Sequence, residues 1–554
     1  MTNASQFNAR TMDVVDDEFQ SVSEGRIRIR IGMVVYLFVL GLIIVRLAEL
    51  SLFAAKDYRY QIPDRSKIYR TDIVDRNGEL LASSLKTYAL FAEPRRVWNP
   101  KESALKIASV LPDLDIDGLE TKLSSDRAYI QLERGLTPKQ KQRVFDLGLP
   151  GLKFPEEYKR VYPQGHLASH VVGFTNVDME GLGGIERTMG DRLMTPGAPE
   201  LALSLDMRVQ NAVSDELRRG LKKYEADSNA AVVLDIKTGE IISLVSLPNF
   251  DANVPLATSS QTRFNHATMS TYDLGSVFKP LTMAMALEDG VANQREVFPV
   301  HKPYRVLDKW IREDHPSDVP LRMSDILAES SNRGTAMIAK RVGAERQQHH
   351  LRNLGLLDRV PLELAESARP QVQDRWGEMA TVTISYGHGL SVTPLALATA
   401  TAAMLNDGVY VKPTLLKRSA AHPEQTRRVF SSEVSEAMRH MMRKVVTEGT
   451  GRKAAVPGYG VMGKTGTAEK PSRGGYDTDR LVTSFVSAFP HSAPRYVLMV
   501  TFDEPKPVEG TYGYATAGWN AAPVSGAIIE RIGPMLPASR DVPKMASSAH
   551  GVLP

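Results

Sequence analysis

The amino-acid sequence predicts a membrane-anchored, multidomain α+β protein: an N-terminal transmembrane helix, an elongated and mostly β N-terminal region outside the membrane, and a C-terminal α/β domain. Three observations predict it. An uncharged apolar run follows a cluster of arginines near the N-terminus; short alternating segments broken by glycines come next; from about residue 201 apolar strands and amphipathic helices are mixed almost to the end. With 554 residues and 42% hydrophobic content the chain has material for about three domains, each with a core.

Composition narrows the function classes. Lys and Arg number 68 against 64 Asp and Glu, with no dense basic run interleaved with aromatics, which argues against nucleic-acid binding. Cysteine is absent, which excludes a thiol nucleophile, a disulfide framework and cysteine-bound metal.

The anchor is the first element. Arg26, Arg28 and Arg30 precede an uncharged run from Ile31 to Val45. At ~1.5 Å per residue that run reaches only ~22 Å, short of a ~30 Å hydrocarbon core, so the span is expected to continue to about Phe53 and to include Arg46 and Glu49. These two sit at i and i+3, where they can pair or snorkel. No clear small-residue cleavage site follows, so the helix is read as an uncleaved anchor with the arginines in the cytoplasm; Lys56, Arg59 and Arg65 beyond it dilute that charge bias.

In the next region Ile73 to Ala82 reads as strand, turn, strand, with Asn77-Gly78 expected to supply the positive dihedrals of a tight hairpin. Lys101 to Val110 reads as an amphipathic helix, and the glycine-rich stretch Glu180 to Gly190 reads as a packed connection. His166 and His170 share a helical spacing but lack a third ligand, so no metal site is assigned to them. A helix is predicted from about Met207, with Val209, Ala212, Val213 and Leu217 on one face. Ala230 to Ser246 then reads as a buried hairpin around a Lys237-Thr238-Gly239 turn, and Ala522 to Gly533 as a closing helix. These readings give a cytoplasmic tail over 1–30, the anchor over 31–53, an N-terminal region over 54–222, a C-terminal domain over 223–540 and a loose tail over 541–554.

The chemistry rests on three short motifs. A serine needs a nearby base before it can act as a nucleophile, and a lysine three residues on along a helix can place a neutral amine beside it. Such S-x-x-K pairs occur at Ser83, Ser103 and Ser276. Only Ser276-Lys279 is followed, at domain-scale distances, by an S-x-N segment, Ser330 to Asn332, and then by the K-T-G segment Lys464, Thr465, Gly466, continued by Thr467. The other K-T-G, at Lys237, precedes the serine motif and sits in a turn. Pro280 removes the N–H that would bond the Ser276 carbonyl, so an irregular first turn is expected.

Serine-lysine, S-x-N and K-T-G motifs together form a catalytic signature of penicillin-binding proteins and their lactamase relatives. In order along the chain, from residue 46 to about 525, the segments RLAEL, IVDRNGELLA, YPQGHLASHVVGF, GLGGIE, LSLDMRVQ, LDIKTGEIISLVSLPNFDAN, YDLGSVFKP, ESSNRG, ISYGHGLSVTPLALA, EGTGRKAAVPGYGVMGKTGTAEK and TAGWNAAPV resemble the class B penicillin-binding proteins. They are most similar to the cell-division transpeptidases of Gram-negative bacteria. Departures from the family pattern are Leu274 for a usual proline, Ala396 for a usual glutamine, and Thr71-Asp72 after Arg70 where a glycine is usual; none is a catalytic side chain.

The resemblance implies a dimerisation-like pedestal over 54–222, a serine-lactamase-like transpeptidase domain over 223–540, and D,D-transpeptidation of peptidoglycan. Ser276 would be acylated by a D-Ala-D-Ala stem peptide and pass the acyl group to a neighbouring stem. Lys279 would be the base, Ser330 the proton relay to the leaving amine, and Asn332 would orient Lys279 and the substrate amide. Lys464 with Thr465, Gly466 and Thr467 would bind the terminal carboxylate, and the backbone N–H groups of Ser276 and Thr467 would form the oxyanion hole. No metal or organic cofactor is implied. Partners would be stem peptides, β-lactams as covalent inhibitors, a glycan polymerase in the same membrane and other division proteins, with the catalytic domain in the periplasm, at midcell. Rival readings are an elongation-specific class B enzyme, a β-lactamase or lactam sensor, and a division scaffold.

Overall fold

The computed structural model describes residues 30–48, 69–419, 425–472 and 475–541. Arg26, Arg28, Glu49, Phe53, Lys56, Arg59, Arg65 and the tail beyond Asp541 lie outside the described residues. Among the described residues a single helix, Arg30–Ala48, is long and apolar enough to cross a membrane, and its apolar side chains are all at least partly exposed. At ~1.5 Å per residue it reaches ~28 Å and takes in Arg46.

Residues 87–157 form one compact unit with their own core of Leu90, Ala104, Ile107, Leu119, Leu132 and Val144. Helices supply more of it than the alternating pattern indicated. Besides Pro100–Val110, which contains the helix expected over Lys101 to Val110, helices span Ile116–Leu123 and Pro138–Phe145. Their starts carry strong local signals: the Asp115 carboxylate accepts from the Gly118 N–H, and Thr137 and Gln140 form a reciprocal capping box with proline at the first helical position.

The second unit comprises residues 68–86 and everything from Tyr158 onward. In its N-terminal part Ile73–Val74 pairs antiparallel with the start of Leu80–Ala92 and parallel with Leu201–Ala202. The turn between the first two differs from the expected two-residue type. Only Gly78 has a positive φ, and the loop is held by Asp75, whose Oδ1 accepts from the Asn77 and Glu79 N–H groups at 2.7 and 2.8 Å. Its Oδ2 accepts from the Met207 N–H, so one buried carboxylate ties this hairpin to the helix that starts there. The glycine-rich stretch folds into two short helices, Gly184–Thr188 and Gly190–Leu193. The first presents Glu186, fully buried, to Arg70 at 2.7 Å and Arg160 at 2.6 Å.

The rest is built on a five-stranded antiparallel sheet in the order Met462–Ser472, Gly475–Phe489, Tyr496–Asp503, Ser228–Asp235, Ile241–Leu247. Both faces are covered, which is why Ala230 to Leu234 is apolar without interruption. Ala230, Val232 and Leu234 join the core cluster that includes the helices Lys279–Glu288, Pro394–Leu405 and Ser432–Thr447. Ala231 and Val233 join the cluster on the other face, with Met207–Lys223 and Ala521–Ile532. Val209, Ala212, Val213 and Leu217 are buried there, as the periodicity predicts. That helix is therefore part of the sheet's own core, and a boundary near residue 222 would cut it from the strands it covers.

Candidate active site

Ser276 sits in a 3-10 turn, Gly275–Phe278, that runs into the helix Lys279–Glu288. The Lys279 N–H bonds the Ser276 carbonyl three residues back, supplying the bond that Pro280 cannot. In a 3-10 turn residues i and i+3 eclipse, which stacks the lysine under the serine. Ser276 is partly exposed, while Lys279 is 0% exposed.

The turn is pressed against the K-T-G strand. Gly275 has φ +63°, and a Cβ there would lie 2.5 Å from the Thr467 carbonyl oxygen; a Cβ on Gly466 would lie 2.3 Å from the Leu274 oxygen. Glycine at both places is what lets two backbones meet. The strand Met462–Ser472 is an edge of the sheet, so one side of its backbone is left unpaired beside Ser276. On the other flank the Gly275 N–H donates to the Gly387 carbonyl at 3.1 Å, and Asp273 accepts from the Gly389 N–H and the Ser391 hydroxyl at 3.0 and 2.7 Å.

Ser330 is the meeting point. It caps the helix Met323–Glu329 in the left-handed conformation, φ +65°, just before the helix Asn332–Val342. Lys279 Nζ donates to the Ser330 carbonyl and to its hydroxyl, the latter at 3.1 Å, and Lys464 Nζ donates to the same hydroxyl at 2.9 Å. Lys464 is also 0% exposed and donates to the Thr465 carbonyl at 3.0 Å. The Thr465 hydroxyl shares a 2.7 Å hydrogen bond with Thr450, and the Thr467 hydroxyl accepts from the Ala517 N–H at 3.1 Å.

Two amines buried on one hydroxyl cannot both hold a proton cheaply. Burial pulls Lys279 down to about 7, partly opposed by the negative charges of Glu313 and Asp314. Burial, and then the nearby Lys279, hold Lys464 well below the ordinary lysine range. His388, the residue after the Gly387 contact, is lowered by burial against the pull of Asp273, Glu469 and Asp314.

The structure thus brings Ser276, Lys279, Ser330, Lys464, Thr465, Gly466 and Thr467 into one cleft. It does not bring Asn332 to Lys279: the Asn332 Nδ2 donates to the Arg312 carbonyl at 3.1 Å, and the side chain makes no hydrogen bond to the lysine. Ser103 and Lys106 belong to the other compact unit, where Lys106 pairs with Glu102 at 2.7 Å. Lys237 is half-exposed beside Asp407. Sequence reading missed Glu313, Asp314, Asp273 and Thr450. Only Asp273, three residues before Ser276, lay close enough to a motif to be noticed.

A lysine amine able to be neutral near pH 7, a serine one turn away, a second amine with threonine hydroxyls, and an unpaired strand edge are the parts of acyl transfer through a serine ester. An active-site-serine acyltransferase is the class the fold and the cleft define. Family models match accordingly: the penicillin binding protein transpeptidase domain over residues 229–530 and the penicillin-binding protein dimerisation domain over 66–193. The chain is 39% identical over 484 residues to the probable peptidoglycan D,D-transpeptidase FtsI of Caulobacter vibrioides, covering 85% of this chain and 82% of the relative. It is 30% identical over 498 residues to the peptidoglycan D,D-transpeptidase FtsI of Escherichia coli, covering 82% of each. The solved structure of penicillin binding protein 3 from Mycobacterium tuberculosis, complexed with aztreonam, matches with a TM-score of 0.67 and 25% identity, over 86% of this chain and 98% of that one. The chain belongs to the class B penicillin-binding proteins.

Proposed function

We propose that the chain is a peptidoglycan D,D-transpeptidase of the division type and that Ser276 is its nucleophile. The Ser276 oxygen attacks the carbonyl of the penultimate D-alanine of a stem peptide while Lys279, in its neutral form, takes the hydroxyl proton. The Ser330 hydroxyl, between the two lysines, passes a proton to the departing D-alanine amine. An amine of a neighbouring stem then attacks the Ser276 ester and frees the serine. The donor stem lies along the unpaired edge of Met462–Ser472 as an added strand, with its carboxylate at Lys464, Thr465 and Thr467. The N–H groups of Ser276 and Thr467 stabilise the oxyanion, which the backbone contact between Gly275 and Thr467 supports. Asn332, engaged with Arg312, serves the substrate amide rather than Lys279. A β-lactam presents the same carbonyl and carboxylate and leaves Ser276 acylated.

The observation that carries this reading is the convergence of two fully buried lysines on the Ser330 hydroxyl beside Ser276. Mass spectrometry of penicillin-labelled protein tests it: the adduct is expected on the peptide containing Ser276, and an adduct elsewhere refutes it.

The anchor holds the protein in the inner membrane with the catalytic unit in the periplasm at midcell; the apolar helix Arg30–Ala48 and the FtsI relatives support this placement. The functional divide falls before Met207, since that helix covers the catalytic sheet. A glycan polymerase in the same membrane is the partner the chemistry requires, and Arg46 with Glu49 is the contact proposed within the span. Replacing both by leucine should leave anchoring and penicillin binding intact and weaken co-purification with the polymerase. Unchanged co-purification would move the contact to residues 54–222.

A further inference from the structure

The segment between the hairpin Arg305–Val306/Lys309–Trp310 and the strand Leu321–Arg322 lies against the start of the helix Asn332–Val342. Three consecutive residues there donate to one side chain. The Glu313 carboxylate accepts from the Asn332 N–H at 2.7 Å, the Ser331 hydroxyl at 2.9 Å and the Arg333 N–H at 3.0 Å. Its neighbour Arg312 supplies the carbonyl that holds the Asn332 side chain at 3.1 Å. Immediately before lies Ser330, a residue with a side chain held at φ +65°. A conformation of that kind persists only where its surroundings over-determine it.

We propose that Glu313 is a positioning residue for acylation: it fixes the start of the Asn332–Val342 helix, and through it Ser330 and Asn332, in register with Lys279. A carboxylate here meets the unpaired N–H groups and partial positive charge of a helix start, which makes the hold strong. The same carboxylate faces the lysine base. Around Lys279 stand Lys464 from the edge strand, Glu313 and Asp314 from this segment, and His388 from the segment after the helix Glu378–Ser385. Glu313 also faces Glu329, which burial, Asp325 and Glu313 together push up. The negative charges of Glu313 and Asp314 both favour the protonated Lys279, against burial. Glu313 therefore holds the geometry and sets the pH at which the base is ready.

This inference rests on the reading of Ser276 and Lys279 as nucleophile and base, and the test separates the two. Full-length protein in detergent is acylated with a fluorescent penicillin and the second-order rate is followed from pH 5 to 9, with a thermal melt of each variant. Glu313→Ala should lower the high-pH plateau on the order of 10- to 100-fold, the scale of a misplaced catalytic group. Glu313→Gln keeps the shape and loses the charge, so its acid limb should move to lower pH. Asp314→Asn, which makes no hydrogen bond to the Ser-x-Asn segment, should move the limb the same way with an unchanged plateau. A merely structural Glu313 would lower the melting temperature and leave the limb where it is. A Glu313→Ala plateau equal to the parent's, or a Glu313→Gln limb that coincides with it, overturns the proposal. If the parent is not acylated on Ser276, or shows no limb near pH 7, the reading beneath it fails instead.

Discussion

Lys279→Met should make the protein inactive and more stable. Burial lowers the Lys279 pKa from 10.5 to about 7, and at ~1.4 kcal/mol per pKa unit this is a cost of about 5 kcal/mol to the folded state at neutral pH. Methionine removes that cost and fills the same slot, but strips the Ser330 carbonyl of its donor, a loss of ~1–3 kcal/mol. The net gain expected at pH 7 is about 2–4 kcal/mol, visible as a melting temperature raised by a few degrees.

The pH dependence fixes the sign. The folded state holds the Lys279 proton less tightly than the unfolded chain does, so the cost is complete below about pH 7 and disappears as pH climbs to 10.5. Parent and variant should converge between those limits, the parent gaining stability relative to Lys279→Met. Urea denaturation at pH 7 and pH 9.5, with penicillin labelling alongside, measures both halves. A variant less stable than its parent at pH 7, or a stability gap that does not change with pH, would refute the claim that this amine is buried at a cost.

Ser276→Ala should abolish covalent penicillin labelling with a stability change within ~1 kcal/mol, whereas Ser83→Ala and Ser103→Ala label normally; loss of labelling in either of those, still folded, would mean the wrong serine was chosen. Lys464→Ala should slow acylation by β-lactam and stem peptide alike, while Lys237→Ala, which removes only a half-exposed pair with Asp407, should leave the rate unchanged and cost under ~1 kcal/mol; equal losses would give the second K-T-G a catalytic part. Glu186→Ala strands Arg70 and Arg160, both essentially without solvent contact, and should destabilise the protein by ~3–5 kcal/mol with the acylation rate per folded molecule unchanged; an unaltered melting temperature would contradict the burial of that triad.

What the sequence made legible was local or ordered along the chain. The start of the helix at Met207, the hairpin around Lys237 and the irregular turn before Pro280 follow from capping, periodicity and a missing N–H, and each is where the residues indicated. Only the order of motifs along the chain set the Ser276 pair, the proposed nucleophile and base, apart from the Ser83 and Ser103 pairs. The helices Ile116–Leu123 and Pro138–Phe145 had visible caps in Asp115 and Thr137-Pro138, and short apolar alternation obscured them. Long-range pairings had no such signal. Arg70 meets a glutamate 116 residues away, and nothing local says that the loop carrying Glu313 returns to the start of the Asn332 helix. The left-handed Ser330 was equally hidden, since serine has no preference that announces it.

The two K-T-G segments show where the chemistry enters. They are the same three residues in the same sheet, one in a turn between two of its strands and the other inside its edge strand. Lys237 lies in the turn that joins Ser228–Asp235 to Ile241–Leu247, with its amine half in solvent and Asp407 at 3.3 Å. Lys464 lies inside the edge strand, between Gly463 and Thr465, and its amine is turned onto Ser330 with no solvent contact. Burying that amine is unfavourable and Lys279 nearby adds to the cost, so the sheet and the helices packed on it must hold the two side chains together. The extensive apolar core on both faces of the sheet holds two lysines where protonation is costly, and on the proposed mechanism this is what readies Lys279 as the base.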